Sequence, residues 1–218
     1  MNMLTLQFAS KLKFKNYLRG HYHFQLVMEE ELKAHLEKFV CVSNEEWKQI
    51  VTYFKRVGYR KKENLIQEGQ ICKSNFFVIK GILRKFFINE KGVEQTTEFA
   101  IENWWLTDTF SFLKGSKTDF YIQAVEPVEV MQVKREDYIN LLEEHPKLEK
   151  YFRCIYQKAF AATQMRIKFI YNYSREDLYH HFSTSQPEFL QRVPQYLIAS
   201  YLNFTPEYLS EIRRKSIS

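Results

Sequence analysis

The sequence predicts an α+β fold: N-terminal helices on a jelly-roll β-barrel, one long helix, and a C-terminal helix-turn-helix without a full wing. Three observations carry this. Short β-rich runs broken by turn residues fill Val57 to Val133, and strands of that length with turns about every 8 to 12 residues imply a sandwich or barrel. Between Pro146 and Tyr173 there is neither Gly nor Pro, so one helix spans that stretch. From Val193 to Lys215 apolar, small and turn-forming residues fall where two short helices crossing at a sharp turn need them.

Length and composition bound the answer. The chain has 218 residues, 45% apolar and 27% charged, enough for a packed core and unlike a disordered chain. No 18-residue apolar run occurs, which excludes a helical membrane span. The 3 Cys, Cys41, Cys72 and Cys154, are widely spaced, which argues against a disulfide framework and a Cys-only zinc site. With 6 Gly and 5 Pro the chain has no glycine-loop or low-complexity texture. The net charge is +6, and Lys11, Lys13, Lys15 and Arg19 in the acid-free first 27 residues supply +4 of it. Any argument for a nucleic-acid partner therefore rests on a local patch, not on a whole-protein field.

Residues 1–27 are expected to be a poorly defined extension. They lack the unbroken apolar core of a secretory signal, and only their basic, acid-free composition loosely resembles a transit peptide. Met28 before Glu29-Glu30-Glu31 is an alternative start. Helical spacing then covers 29–57. Leu32, Leu36 and Val40 share one face; Ser43 and Glu46 form a capping box; and Trp47, Ile50, Val51 and Phe54 make the stripe of a second helix. The β-rich runs follow, with breaks at Glu68-Gly69, Lys80-Gly81, Asn89-Glu90-Lys91-Gly92 and Glu126-Pro127.

Helical periodicity returns with Arg135 to Leu142, and Pro146 suits the start of the long helix. That helix carries two apolar stripes. Leu148, Phe152, Ile155, Ala159, Ala162 and Phe169 lie on a 4-3 seam with Arg166 as the intruder, read as a homodimer seam. Tyr156, Phe160, Thr163, Ile167 and Ile170 line the other face, expected to pack on the barrel; burial of the whole helix in one monomer core is the alternative. A further helix start at Ser174-Arg175-Glu176-Asp177 and a loop at 183–187 complete the pass. The expected boundaries are 28–145 for the β-roll, 146–173 for the long helix and 174–218 for the C-terminal unit.

In the C-terminal unit, Gln195 opens the first helix. Ile198 and Leu202 sit at its buried positions, and Ala199 sits where the helices touch. Asn203 falls at the turn that needs a left-handed backbone, which Asn tolerates better than most residues. Thr205-Pro206-Glu207 supplies an N-cap, Pro at the first helical position and a first-turn acid. Phe204, Leu209 and Ile212 bury the second helix. Such a helix lies in a DNA major groove, with Thr205, Tyr208, Ser210 and Glu211 nearest base edges and Arg213, Arg214 and Lys215 near phosphate. Gln195 and Glu207 complete the candidate DNA-binding set. The basic run is equally a solvated helix end favoured by the helix dipole.

Arg192-Val193-Pro194-Gln195, Ile198-Ala199-Ser200-Tyr201-Leu202, Thr205-Pro206-Glu207 and Leu209-Ser210-Glu211-Ile212-Arg213 resemble the C-terminal segment of Crp/Fnr-type bacterial transcription regulators, most of all the short branch common in Bacteroidetes. Phe76-Phe77-Val78-Ile79-Lys80-Gly81 is similar to part of that family's cyclic-nucleotide-binding-like β-roll. The resemblance covers roughly residues 29 to 215. It implies a cytoplasmic homodimer, double-stranded DNA and RNA polymerase as partners, no membrane association, no cofactor, and a β-roll that senses a small-molecule effector.

The departures matter as much. Cyclic-nucleotide sensors of this fold use a Gly-Glu pair and an Arg about ten residues later. The corresponding positions here are Thr107-Asp108 and Thr118, and the nearby Lys114 and Lys117 offer no fixed fork. Cyclic AMP is therefore not expected to bind in the usual mode. A pocket between Trp104, Thr107, Asp108, Thr118 and Thr163 remains the candidate effector site, against a barrel filled by its own side chains. Cys41, Cys72 and Cys154 do not form the family's iron–sulfur cluster set, and His145 and His180-His181 make poor haem ligands. Glu211 stands where relatives often place a guanine-reading Arg, and Ser218, three residues after Lys215, leaves no room for a β-hairpin wing. Enzymatic activity is not expected: Asp108 near Asp119 is the only carboxylate pairing of note, with no nucleophile, metal spacing or phosphate loop beside it. A ligand- or partner-binding module with a degenerate, non-functional DNA-binding helix is the alternative function.

Overall fold

The computed structural model describes residues 29–217; the reading of residues 1–27 lies outside them. Helix α1 covers 29–37 and buries Leu32 and Leu36. Helix α2, Asn44–Ile50, opens on the capping box read from the sequence: Glu46 N donates to Ser43 Oγ at 3.2 Å and Ser43 N donates to Glu46 Oε2 at 2.9 Å. The helix ends earlier than its apolar spacing suggested. Val51–Tyr53 form a 3₁₀ turn, and Phe54 starts strand β1, Phe54–Tyr59. Pairing decides this: β1 lies antiparallel on β8 with Phe54 opposite Val133 and Tyr59 opposite Val128.

The remaining strands are β2 Asn64–Ile66, β3 Ser74–Lys80, β4 Leu83–Ile88, β5 Glu94–Ala100, β6 Trp105–Leu106, β7 Tyr121–Ala124 and β8 Val128–Lys134. They form two four-stranded antiparallel sheets in the orders β1-β8-β3-β6 and β2-β7-β4-β5. Strand β3 is buried at six of its seven positions, as a strand covered on both faces must be. Gly81 turns β3 into β4 at φ +95, and a Cβ there would meet Pro127 O at 2.6 Å; only glycine fits. Between β6 and β7 lies helix α3, Thr109–Lys114, absent from the sequence reading, with Asp108 as N-cap and Gly115 left-handed at its end.

Helix α4, Arg135–Glu144, leads to α5, Lys147–Asn172, a 26-residue helix. Helices α6 Arg175–Ser185, α7 Pro187–Arg192, α8 Gln195–Leu202 and α9 Pro206–Ile217 follow. The loop expected at 183–187 shrinks to Gln186, because α6 runs on to Ser185 and Pro187 starts α7. No helix among the described residues is long and apolar enough to cross a membrane.

The first part of the stripe read as a homodimer seam packs on the β-roll of its own chain. Leu148 and Phe152 lie in the β-roll's own core, with Ile155 packed against it. Arg166 donates to Thr97 O at 2.7 Å and Tyr201 O at 2.8 Å, and Phe169 stacks on Tyr173. Ala162 is exposed and Ala159 half-buried. The stripe expected to face the barrel is the open one beyond Tyr156: Phe160 is 64% exposed, Ile167 and Ile170 are each 49% exposed, and Thr163 lies between them. Both stripes have heptad spacing, so spacing alone did not assign them.

Candidate nucleic-acid interface

The C-terminal unit is built from local sequence. Helix α8 exposes Gln195 and buries Leu197, Ile198 and Ala199. Asn203 follows at φ 60, ψ 42, its N–H bonded back to Ala199 O and Ser200 O. Phe204 N donates to Ala199 O at 2.8 Å, so the helix closes over its smallest side chain. Thr205 then caps α9: Tyr208 N donates to Thr205 Oγ1 at 3.2 Å. Leu209 and Ile212 are buried with Phe204 and Val193 in one cluster. The geometry is consistent with a helix-turn-helix, with the left-handed residue where the sequence put it.

The outer face of α9 presents Thr205, Glu207, Ser210, Glu211 and Arg214 to solvent, with Tyr208 and Arg213 half-buried. Ser210 Oγ donates to Pro206 O within the helix at 2.9 Å. Tyr208 packs edge-on to Phe204, and the Arg175 guanidinium lies 5.6 Å from its ring centre. Lys215 sits 3.1 Å from Glu211 and 3.8 Å from Glu176. Donating a hydrogen bond to the Glu211 carboxylate raises the Lys215 pKa, so that ammonium stays charged but is shared with two carboxylates.

This unit rests on the β-roll through contacts the sequence did not disclose. Ser200 Oγ donates to Glu94 O at 2.7 Å and accepts from Thr96 N at 2.9 Å. Arg192 forks onto Glu102 at 2.7 and 2.9 Å and reaches Glu126 at 2.5 Å. Burial pushes the Glu102 carboxyl up, but the Arg192 hydrogen bond and backbone N–H groups, including Gly81, bring it below the usual range. Phe99, Ile82 and Val125 supply the apolar part of the same contact. The one visible sign of this docking was the Arg in the α5 seam: Arg166 tethers β5 to α8 through two carbonyls and lies 4.2 Å from the Tyr201 ring centre.

Of the candidate effector pocket, Thr107, Asp108 and Thr118 come together and are buried. They bond among themselves and to their surroundings. Thr118 Oγ1 donates to Asp108 Oδ2 at 2.7 Å, Ser111 N donates to Asp108 Oδ1 at 3.4 Å, and Thr107 Oγ1 donates to Ser74 O at 2.8 Å. Lys85 Nζ reaches Thr107 O at 3.3 Å and Glu98 at 2.7 Å. Where the resemblance placed a ribose- and phosphate-binding pair, Asp108 is a helix cap with a threonine partner. Trp104 and Thr163 do not join this group. Trp104 is 48% exposed, and Thr163 is exposed on α5 with its hydroxyl donating to Ala159 O at 3.0 Å. Cys72 lies beside Thr107, its thiol pKa raised chiefly by burial.

Comparison with known proteins agrees with this architecture. The family described as cyclic nucleotide-binding domain matches residues 56–145. No curated protein matches the chain by sequence. Among solved structures, the Catabolite Activator Protein of Thermus thermophilus is 18% identical, with 83% of this chain and 85% of that one covered at a TM-score of 0.52. The c-di-GMP responsive global regulator CLP of Xanthomonas campestris is 14% identical over 77% of this chain and 88% of its own, at 0.64. FixK2 of Bradyrhizobium japonicum is 14% identical over 74% and 83%, at 0.63. The chain thus carries a β-roll matched by the cyclic nucleotide-binding domain, in a fold it shares with these proteins.

Proposed function

We propose that this chain is a homodimeric, cytoplasmic, DNA-binding transcription regulator of the Crp/Fnr type, of the short Bacteroidetes-like branch. The observation that carries the reading is the turn at Asn203, held left-handed between a helix buried on the β-roll and a helix whose outer face is open. Helix α9 enters the major groove. Thr205, Glu207, Tyr208, Ser210 and Glu211 face base edges; Gln195, Arg213, Arg214 and Lys215 sit by the backbone. Residues 28–145 sense an effector, 146–173 dimerise and 174–218 bind DNA, with RNA polymerase as the downstream partner. The effector is not cyclic AMP in the usual mode, since Asp108 and Thr118 bond each other and no Arg stands at the phosphate position.

The dimer forms on the open stripe of α5. Tyr156, Phe160, Thr163, Ile167 and Ile170 repeat at 4-3 spacing, three of them large apolar residues about half exposed or more. A second copy of the same helix covers such a stripe by knobs-into-holes packing. Two recognition helices then read a pseudo-palindrome with half-sites about 34 Å apart.

Selection from random duplex DNA at fixed moderate salt tests this. An enriched pseudo-palindrome is expected. Absence of enrichment, with and without added cell extract, would overturn the reading. A second reading, a ligand- or partner-binding module that has lost DNA binding, draws on Glu211, which sits on the reading face and pairs with Lys215. The Arg213→Ala/Arg214→Ala double variant separates the two, because only a regulator loses operator affinity.

A further inference from the structure

Between the outer face of the β2-β7-β4-β5 sheet and the C-terminal unit lies a cleft of about 440 Å³, within the size range of small-molecule sites. Lys62, Arg84, Glu94 and Gln123 line it from the β-roll, and Tyr196 and Ser200 line it from α8. Arg84 dominates its chemistry. The residue is 3% exposed. Its Nε and NH2 donate to Gln123 Oε1 at 3.1 and 2.7 Å, and NH2 also donates to Glu94 Oε2 at 2.5 Å. The guanidinium carbon lies 3.9 Å from the Phe86 ring centre, so an aromatic ring and a glutamine amide fix the plane. Its third nitrogen, NH1, is buried and has no acceptor among the described residues.

A guanidinium does not release its proton. A buried N–H without an acceptor carries a desolvation penalty that persists until an acceptor arrives. The carboxylate of Glu94 is engaged on the other nitrogen. Lys62 stands exposed in the cleft lining, held by its backbone N–H on Ala124 O. Two cations against one carboxylate leave the lining with one uncompensated positive charge.

We propose that this cleft binds an oxyanion, a phosphoryl or carboxylate group, with the Arg84 guanidinium as the fixed cation and Lys62 as the mobile one. The ligand is either the free ion or a small metabolite that bears it. Because Ser200 and Tyr196 come from the helical unit, an occupant touches both parts of the chain. That this adjusts DNA affinity rests on the regulator reading; the binding itself does not.

The test is calorimetry and thermal unfolding of the full chain with inorganic phosphate, glucose 6-phosphate and citrate. Ionic strength is held constant with sodium chloride. At least one probe is expected to bind and to raise the melting temperature above the chloride control. Lys62→Asn, which keeps a residue tolerant of the left-handed φ of 68 found there, should weaken it about two- to fivefold, and Arg84→Met should abolish it. If Arg84→Met does not fold, the exposed Lys62→Asn carries the comparison. Phosphate binding as tightly as the larger probes identifies the free ion; a preference for the ester or citrate identifies a metabolite. No binding above chloride, or binding that is unchanged in Lys62→Asn and Arg84→Met, overturns the site. Calorimetry needs no DNA, so a negative result leaves the regulator reading untouched, and a failed operator selection leaves this site untouched.

Discussion

Ser200→Ala tests whether the C-terminal unit is bonded to the β-roll or only leans on it. Ser200 Oγ accepts from Thr96 N at 2.9 Å and donates to Glu94 O at 2.7 Å. Thr96 is 2% exposed, so alanine leaves its N–H buried without that acceptor. Glu94 is exposed, and water replaces the donor on its carbonyl. Thr96 Oγ1, 3.1 Å from Ser200 Oγ, loses that partner too, so the cost is set by the buried Thr96 N–H and hydroxyl together, roughly 1–3 kcal/mol. For a chain of this size each kcal/mol moves the melting temperature by about 2–4 °C, so a fall of roughly 2–12 °C is expected. Amide exchange at Thr96 should accelerate with it. Ser210→Ala is the control, since Ser210 is exposed and bonds only within its own helix in the structure; it should stay within about 0.5 kcal/mol. If the two variants melt together and Thr96 exchange is unchanged, the docking of α8 on β5 does not exist in solution.

Three further outcomes follow from named geometry. Asn203→Val places a β-branched residue at φ 60 and should destabilise by about 1–2 kcal/mol relative to Asn203→Gly in urea unfolding; equal stabilities would refute a left-handed turn. The Arg213→Ala/Arg214→Ala variant should weaken operator binding and lower the slope of log affinity against log salt by about one for each phosphate the protein no longer neutralises, read by titration at several salt concentrations. His35 is held neutral, its pKa lowered to about 4 chiefly by burial and then by Lys38 and Lys158, while an unfolded chain keeps about 6.5. Protonation then favours the unfolded chain, so this contribution is present above pH 6.5 and is lost as pH falls toward 4. The loss is up to about 3 kcal/mol, and melting curves of the wild type and His35→Gln between pH 7 and 5 should diverge accordingly.

The sequence disclosed most where a feature is local. The capping box at Ser43 and Glu46, the turn at Asn203 and the cap at Thr205 each need only neighbours in the chain, and each is present. The β-roll was legible from its turns. What failed was non-local. Phe54 continues a helical stripe by spacing, yet its place in β1 is decided by Val133, far along the chain. Helix α3 escapes a sequence reading although Asp108 and Gly115 bracket it, because Asp108 also falls at the ribose-binding position of the family it resembles. The cleft residues Lys62, Arg84 and Gln123 come from separate strands and loops, and no spacing rule gathers them.

Arg166 shows how a choice between the two faces of α5 is made physically. Two stripes offset by one residue both satisfy a heptad, so hydrophobicity does not choose between them. The charged residue does. At a symmetric helix seam Arg166 would meet its own copy, a like charge in a dry contact. Against the β-roll it meets two carbonyl oxygens and an aromatic face fixed by the same chain. Arg166 therefore faces the β-roll of its own chain. In the other stripe Thr163 bonds its own helix at Ala159 O, and beyond Tyr156 the remaining members, Phe160, Ile167 and Ile170, are apolar. A face of that kind is suited to a second copy of itself.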